Sequence, residues 1–253
     1  MISRLRSKLK LILQRSRLAA NVWRHGLPKY SPPQNGKMAV RDRFAELRHY
    51  ITTASPVIID GGAHRGGSIL EFLKGYPSAT IHSFEPNPHI VAHLQTQFGT
   101  NSNIIIHDQA LGAENKMIPF KILKHDGASS ILPPSSILVH YHGSKMDVTE
   151  TVEVPLVRMD SVLDQEIDIL KLDLQGYELE ALRGATNLLP RIKAITIEVE
   201  FVPLYDGQPL YGDIDVFLRA AGFRLLNLYE LWTHPDGQLT SGDAVYLNTR
   251  YFE

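Results

Sequence analysis

A glycine-rich turn directly after an apolar run contains the residues best suited to holding a ligand. The run SPVIID ends at Asp60, and the turn continues through Gly61, Gly62, Ala63 and Gly66. Glycine has no Cβ, so the backbone can turn tightly and approach a ligand. A dinucleotide fingerprint needs glycines at i, i+2 and i+5, and this turn lacks the second. Because an acid before the turn repels a pyrophosphate but suits the ammonium group of a methionine moiety, we predict that these five residues bind S-adenosylmethionine rather than NAD.

An acid one strand further along the chain complements this turn. Glu85 lies 19 residues beyond Gly66 in the segment IHSFEPNP, at the end of the next predicted strand. An acid in this place accepts hydrogen bonds from both ribose hydroxyls of a bound nucleotide. Pro86, which stops this strand, and Asp108, near the end of the third predicted strand, complete the predicted cofactor set. The alternatives are a tight turn without a ligand and an ordinary surface acid.

Three acids on two later strands could transfer a proton or bind a metal. Asp173 lies near the end of the run DILKLDL, and Glu198 and Glu200 alternate with Ile197 and Val199 on the next strand. Acids on an apolar strand are costly unless their polar atoms are satisfied. Asp173 or Glu198 could take the proton of a hydroxyl group, or Asp173, Glu198 and Glu200 could hold a divalent cation such as Mg²⁺. A purely structural hydrogen-bonding role is the third alternative.

The segment 125–147 is long for a connection within a compact domain, which predicts a lid or a disordered loop over the ligand crevice. It contains His125 and His142, which are candidate catalytic bases because histidine titrates near neutral pH. The alternative for each is a solvated loop histidine. Four aromatic residues could stack on a sugar face or belong to the core: Phe201, Tyr205, Tyr211 and Trp232.

The order of the predicted elements determines where these residues lie. From residue 56 onwards, short β-rich runs alternate with helical stretches, which predicts an α/β fold with a mainly parallel sheet and helices on both faces. The predicted strands are Val57–Asp60, Thr80–Glu85, Asn103–Ala110, Met117–Leu123, Val152–Val157, Asp168–Leu174, Ala194–Glu200, Phe223–Tyr229 and Ala244–Asn248. The predicted helices are Ser68–Gly75, Pro88–Phe98, Tyr177–Leu189 and Ile214–Ala221.

The composition excludes several classes of protein. The 253 residues include no cysteine, which excludes disulfides, thiolate catalysis and cysteine-ligated zinc and fits a cytoplasmic protein. The formal net charge of −1 provides no global field that would recruit nucleic acid. No apolar run approaches the roughly 20 residues that a transmembrane helix needs.

Residues 1–37 are predicted to form a basic amphipathic helix and a linker, ahead of a catalytic domain over residues 38–253. Leu5, Leu9 and Ile12 recur at helical spacing among lysines and arginines, and the segment 26–37 is rich in proline and glycine. Such a helix could make a peripheral contact with an anionic membrane or pack on its own domain. The sequence predicts no oligomeric state.

Three segments resemble the FkbM-type methyltransferases: DGGAHRGG, HSFEPNP, and DILKLDLQGYELEALRGA followed by AITIEVE. The resemblance runs from about residue 56 to the C-terminus. It implies a seven-stranded, Rossmann-like class I methyltransferase fold. It also implies O-methylation that depends on S-adenosylmethionine, commonly of sugar hydroxyls in bacterial glycans or natural products.

The resemblance carries roles onto individual residues of this chain. Asp60, Gly62 and Gly66 match the cofactor turn, and Glu85 matches the ribose acid. Lys171, Asp173 and Gly176 match the pattern KxDxEG. Two positions depart from the family, since Gln175 replaces a frequent glutamate and His64 a frequent asparagine.

The leading interpretation is therefore a methyltransferase that acts on a small-molecule or glycan acceptor. An NAD-dependent oxidoreductase is disfavoured by the glycine spacing and by Asp60. A methyltransferase fold retained as a non-catalytic binding module is the third interpretation.

Overall fold

The computed structural model describes residues 42–252 of the chain. The helix and linker predicted over residues 1–37, with the expected membrane contact, lie outside the described residues. Between residues 42 and 252, no helix is long and apolar enough to cross a membrane.

Strands and helices alternate along the described part of the chain. The strands are β1 (Val57–Gly61), β2 (Thr80–Phe84), β3 (Ile104–His107), β4 (Ala110–Leu111), β5 (Lys116–Leu123), β6 (Val148–Val157), β7 (Ile167–Leu172), β8 (Ile192–Glu200), β9 (Phe223–Thr233) and β10 (Leu239–Asn248). The α-helices are α1 (Arg43–Tyr50), α2 (Gly67–Gly75), α3 (Pro88–Phe98), α4 (Ser136–His142), α5 (Met159–Val162), α6 (Glu178–Arg183) and α7 (Tyr211–Ala220).

The main sheet combines five parallel strands with an antiparallel hairpin. Its seven strands have the order β3-β2-β1-β7-β8-β10-β9, and only the pairings made by β10 are antiparallel. This arrangement confirms the predicted α/β class and the mainly parallel, seven-stranded sheet. The strand order reverses at β1, which lies between β2 and β7. Open α/β sheets bind ligands at the carboxyl ends of the strands beside such a switch point.

Three neighbouring strands end in register at this switch point. Gly61, the last residue of β1, is paired with Phe84 of β2 and with Leu172 of β7. The segments that continue from these strands therefore emerge together at one edge of the sheet. They carry three of the predicted site residues: Gly62, Glu85 and Asp173.

The core covers both faces of the main sheet. One cluster contains Leu182 of α6 and Leu218 of α7, and the other contains Ile69 of α2 and Leu94 of α3. All six residues of β7 are buried, as expected for a central strand covered on both sides.

A second, three-stranded sheet has the order β4-β6-β5. The predicted runs Met117–Leu123 and Val152–Val157 are confirmed as β5 and β6, although β6 begins earlier, at Val148. The predicted strand Asn103–Ala110 is wrong in extent, because β3 ends at His107 and the residues from Ala110 onwards pair in this second sheet.

The segment 125–147, predicted as a lid or disordered loop, is folded and contains α4. The side chain of Ser135 accepts a hydrogen bond from the Leu138 N–H and caps this helix. The Ser135 N–H donates to the carbonyl oxygen of Leu204 at 2.9 Å, and Leu138 packs in one cluster with Tyr205. The segment is therefore held by the loop after β8, a long-range contact that no local pattern predicts.

The predicted helix Tyr177–Leu189 is shorter in the structure, where α6 ends at Arg183. Gly184 follows, and an added Cβ there would lie 1.9 Å from the carbonyl oxygen of Gly112. Residue 184 is glycine because two backbones meet here without room for a side chain.

Leu170 in β7 provides a test of the core. Leu170→Ala should lower the free energy of unfolding by about 2–5 kcal/mol, since it opens a cavity at a fully buried position. Leu70→Ala in α2, where the side chain is 44% exposed, is the matched control and should change the free energy by less than about 0.5 kcal/mol. Chemical denaturation measures both, and equal effects would contradict the placement of β7 at the centre.

Candidate active site

The glycine-rich turn passes so close to the end of β7 that Gly62 has no room for a side chain. Gly62 has a φ of 75°, and an added Cβ would lie 1.9 Å from the carbonyl oxygen of Asp173. The Gly62 N–H donates to the carbonyl oxygen of Phe84 at 3.0 Å, so the turn is also fixed to β2. Gly66, with a φ of 80°, precedes α2 in the left-handed conformation. Both positions need glycine because of the backbone geometry.

A buried lysine fixes the turn through hydrogen bonds to its backbone. Lys171 of β7 is 5% exposed, and its Nζ donates to the carbonyl oxygens of Gly62 (2.7 Å) and Gly61 (3.2 Å). The same Nζ lies 3.3 Å from a carboxylate oxygen of Asp60 and 3.7 Å from one of Asp173. Burial alone would lower the pKa of Lys171, but the two carboxylates outweigh burial and hold the pKa above its usual value.

Asp60 lies behind the turn rather than on the wall of a cavity. Its side chain is fully buried, accepts a hydrogen bond from the Ser68 hydroxyl at 2.6 Å and is paired with Lys171. The charge of Asp60 is therefore balanced by the protein itself. This position supports the turn and does not fit the predicted contact with a ligand ammonium group.

Glu85 is held by two backbone donors. Its Oε2 accepts from the His64 N–H at 2.8 Å, and its Oε1 accepts from the Asn87 N–H at 2.9 Å. Burial raises the pKa of Glu85 to about 7, although these two hydrogen bonds favour the ionised form. Each oxygen keeps a free lone pair, so the carboxylate could accept from two neighbouring hydroxyl groups.

A first cavity opens above the turn, between Glu85 and the second sheet. Four of the predicted cofactor residues line it: Gly62, Glu85, Pro86 and Asp173. Five do not line it: Asp60, Gly61, Ala63, Gly66 and Asp108. Gly61, Ala63 and Gly66 still shape the turn through their backbone, whereas the prediction for Asp108 needs a correction.

Gln109, and not Asp108, reaches the first cavity. Asp108 is exposed, whereas Gln109 lines the cavity and its buried Oε1 has no hydrogen-bond partner in the described residues. The shift by one residue follows from the early end of β3 at His107. A buried acceptor without a partner is costly, so Gln109 is suited to receive a donor from a ligand.

His64 and Arg65 connect the turn to the segment after β5. His64 Nε2 lies 3.1 Å from one carboxylate oxygen of Asp126, and an Arg65 guanidinium N–H donates to the other at 2.5 Å. Burial opposes ionisation of Asp126, but these two partners outweigh burial and lower its pKa. Asp126 lines the first cavity, and no sequence pattern indicated its role.

Gln175 is the central polar residue between the acids. Its Nε2 donates to Asp173 at 2.8 Å and to Glu198 at 2.7 Å. Its Oε1 accepts from the Tyr205 hydroxyl at 2.8 Å, and its carbonyl oxygen accepts from the Ser130 hydroxyl at 2.8 Å. Gln175 adopts a φ of 56°, a conformation stabilised by these four contacts. Gln175 therefore joins β7, β8 and the segment 125–147.

The acids around Gln175 differ in charge. Burial opposes ionisation of Asp173, but Lys171 and hydrogen bonds from Glu198 and Gln175 outweigh burial and lower its pKa. Burial and the charges of neighbouring acids raise the pKa of Glu198 and that of Glu200 well above the usual value. Burial is the main cause that raises the pKa of Glu178 to about 7. Asp173 is therefore the acid of this cluster that ionises most readily.

The geometry does not support the predicted metal site of Asp173, Glu198 and Glu200. Among residues 42–252, no group of three or more histidine, cysteine or acidic side chains is arranged to hold a metal ion. The space between Asp173 and Glu198 is bridged by the amide nitrogen of Gln175, a donor that cannot ligate a cation.

A second, larger cavity adjoins the first. The second cavity has a volume of about 970 Å³ and the first a volume of about 120 Å³. Gly127 and Gln175 line both cavities. Glu198 and both predicted histidine bases, His125 and His142, line the second cavity. The ionised Asp173 lines the first cavity, and its side chain is 37% exposed. A ligand in either cavity therefore lies beside the Asp173–Gln175–Glu198 group.

The four candidate stacking residues have different environments. Tyr205 is 1% exposed and Phe201 packs against Tyr211 with ring centroids 5.4 Å apart, so these three serve mainly in packing. Trp232 is 70% exposed and lines the second cavity together with Tyr141. Trp232 is therefore the one of the four that is free to stack on a ligand.

Comparison with known proteins shows similarity over the part of the chain that contains the first cavity. A family model described as the methyltransferase FkbM domain matches residues 60–225. The 2-O-methyltransferase NoeI of Sinorhizobium fredii is 28% identical over 208 residues, which cover 77% of this chain and 80% of NoeI. Methyltransferase 1 of Beauveria bassiana is 25% identical over 194 residues, which cover 71% of this chain and 76% of the relative.

A solved structure is similar in fold. The methyltransferase FkbM from Methylobacillus flagellatus KT is 16% identical and aligns with a TM-score of 0.51. The alignment covers 77% of this chain and 44% of that protein, so this chain spans less than half the length of that relative. At this identity the likeness shows the fold.

Glu178 provides a test of the buried acid cluster. Its raised pKa means that the stability contributed by the protonated side chain is complete below pH 4.5 and is lost as the pH rises through 7. Glu178→Gln keeps an oxygen that can accept from the Leu174 N–H but cannot ionise. Denaturation curves should therefore show Glu178→Gln becoming more stable relative to wild type between pH 5 and pH 8, by up to about 1.4 kcal/mol per pH unit.

Glu114→Gln, at a glutamate whose side chain is 67% exposed, controls for the chemical change itself. A stability difference for Glu178→Gln that stays constant with pH would contradict the assignment of a buried, titrating acid.

Proposed function

Since the chain belongs to the FkbM methyltransferase family, we propose that it methylates a hydroxyl oxygen of a sugar or glycan acceptor. The family makes it an S-adenosylmethionine-dependent methyltransferase and removes the NAD-dependent alternative. Two observations support the acceptor class. The relative NoeI is a 2-O-methyltransferase, which supports transfer to a hydroxyl oxygen. The second cavity presents the exposed ring of Trp232, and an aromatic face suits the apolar face of a sugar.

The first cavity suits the adenosyl part of S-adenosylmethionine. Glu85 offers two carboxylate oxygens for the ribose hydroxyls, and Gln109 offers a buried amide oxygen for the exocyclic amino group of adenine. The close packing of Gly62 against the backbone of Asp173 fixes the turn as part of the wall of this cavity. We assign Glu85 and Gln109 to cofactor recognition, with Pro86 beside them on the cavity wall.

The observation that carries the proposal is the junction of the two cavities at Gln175. S-adenosylmethionine supplies the methyl group as an electrophile when it is bound. We assign to Asp173 the acceptance of the hydroxyl proton, because its lowered pKa keeps it ionised and because it lines the cavity wall beside Gln175. The hydroxyl proton becomes strongly acidic as the oxygen forms its new bond, so a carboxylate is basic enough. Gln175 orients the Asp173 carboxylate through its hydrogen bond of 2.8 Å.

Glu198 is assigned a supporting role at the acceptor side. It lines the second cavity, and burial together with the neighbouring acids Asp173 and Glu200 raises its pKa. A protonated carboxyl group can donate a hydrogen bond to Asp173 or to the acceptor. His125 and His142 remain alternative bases on the wall of the same cavity.

The assignment of Glu85 predicts a loss of cofactor affinity in a variant. Glu85→Ala should raise the dissociation constant of S-adenosylhomocysteine at least about tenfold, since two ribose hydroxyls lose their acceptors. Titration calorimetry measures this change. Glu71→Ala, at a partly exposed acid in α2, is the control and should keep the wild-type affinity. A folded Glu85→Ala variant with unchanged affinity would remove Glu85 from the site.

The assignment of Asp173 predicts a loss of turnover without a loss of cofactor binding. Asp173→Asn should reduce methyl transfer at least about 100-fold, because the amide cannot take a proton. Its affinity for S-adenosylhomocysteine should stay within about threefold of wild type. The assay uses methyl-labelled S-adenosylmethionine with a panel of oligosaccharides.

Asp164→Asn is the matched control, because Asp164 is an exposed acid close before β7, at the opposite end of that strand. Full turnover in a folded Asp173→Asn variant would exclude Asp173 as the base and leave His125 and His142 as the candidates.

A further inference from the structure

The walls of the second cavity carry more basic than acidic side chains. Five basic residues line it: Lys124, His125, His142, Lys145 and His234. Within the described residues, Glu198 is the one acid on these walls. Burial and the neighbouring acids Asp173 and Glu200 raise the pKa of Glu198, which disfavours its negative charge. The walls therefore carry a positive charge that the cavity itself does not balance.

Backbone hydrogen bonds bring these basic side chains together. The Lys124 N–H donates to the carbonyl oxygen of Asp147 at 3.0 Å, and the His125 N–H donates to that of Lys145 at 2.9 Å. The end of β5 is thereby fixed beside the segment that follows α4. Lys124 and Lys145 therefore lie on neighbouring segments, and both line the cavity.

The two lysines are available to a ligand. No ion pair of Lys124 or Lys145 occurs among residues 42–252. His234, in contrast, is paired with Asp236 at 3.0 Å. The pKa of His142 is lowered mainly by burial and also by the positive charges of Lys145, His125 and His234.

Aromatic rings line the same cavity as these basic residues. Trp232 is 70% exposed, and Tyr141 stacks on His234 with ring centroids 3.8 Å apart. A cavity with aromatic faces and cationic side chains suits a ligand that has both an apolar ring face and a negative charge. A neutral sugar would use only the aromatic part.

We propose that the acceptor is an acidic saccharide, whose anionic group binds Lys124 and Lys145 while a sugar ring lies against Trp232. This inference rests on the proposed function, because it assigns the second cavity to the acceptor. The anionic group is a carboxylate, a sulfate or a phosphate, since all three accept hydrogen bonds from ammonium groups. The basic residues select the acceptor by charge and leave proton transfer to Asp173.

The test compares acidic and neutral oligosaccharides of equal length as methyl acceptors and as binding partners. The probes are an oligogalacturonate, a sulfated and a phosphorylated oligosaccharide, and their neutral counterparts. Wild-type protein should bind or methylate at least one acidic probe at least about tenfold better than its neutral counterpart at low salt, and this preference should shrink with added salt. The acidic probe that is preferred identifies the anionic group.

The double variant Lys124→Gln/Lys145→Gln should lose at least about tenfold of this preference and keep its wild-type affinity for S-adenosylhomocysteine. Lys74→Gln/Lys116→Gln, at two exposed lysines outside both cavities, is the matched control and should behave as wild type.

Equal use of neutral and acidic probes would overturn the inference, as would a preference that survives in the double variant. Binding of S-adenosylhomocysteine without binding of any acidic probe, or tighter binding of a single-stranded RNA than of every saccharide, would also overturn it. Failure of S-adenosylhomocysteine itself to bind would instead overturn the proposed function.

Discussion

The candidate site depends on the buried ammonium group of Lys171. A buried charge is tolerated when partners surround it, and Lys171 finds two carbonyl oxygens of the glycine-rich turn together with the carboxylates of Asp60 and Asp173. These contacts join the ends of β1 and β7 and hold Gly62 against the backbone of Asp173. The position of the first cavity follows from this junction, because its floor is formed by the same two segments.

The same lysine organises the charges of the acid cluster. Lys171 lowers the pKa of Asp173, and the negative charge of Asp173 in turn helps to raise the pKa of Glu178, Glu198 and Glu200. Gln175 fits this arrangement because its neutral amide donates to two of the acids. A glutamate at that position would add a further negative charge and would lack the donor. The departure from the family pattern at residue 175 therefore has a physical explanation in the described residues.

The sequence predicted those features that depend on local patterns. The sheet class, the bounds of α3, the glycine-rich turn between β1 and α2 and the position of Glu85 directly after β2 were predicted correctly, because periodicity and backbone geometry determine them within a few residues. Features that depend on distant contacts were not readable. α4 has only seven residues and is held by the loop after β8, and Gln109 replaces Asp108 at the cavity because β3 ends early. The partners of Asp60 likewise come from another strand and from α2.

A crystal structure of the protein with S-adenosylhomocysteine is the most direct test of whether the turn anchored by Lys171 and the carboxylate of Glu85 form one adenosyl-binding site. In that structure we expect ribose hydroxyls within hydrogen-bond distance of Glu85, adenine beside Gln109, and the sulfur atom directed towards Asp173 and the second cavity. Electron density for the ligand outside the first cavity, or with its ribose directed away from Glu85, would contradict this assignment.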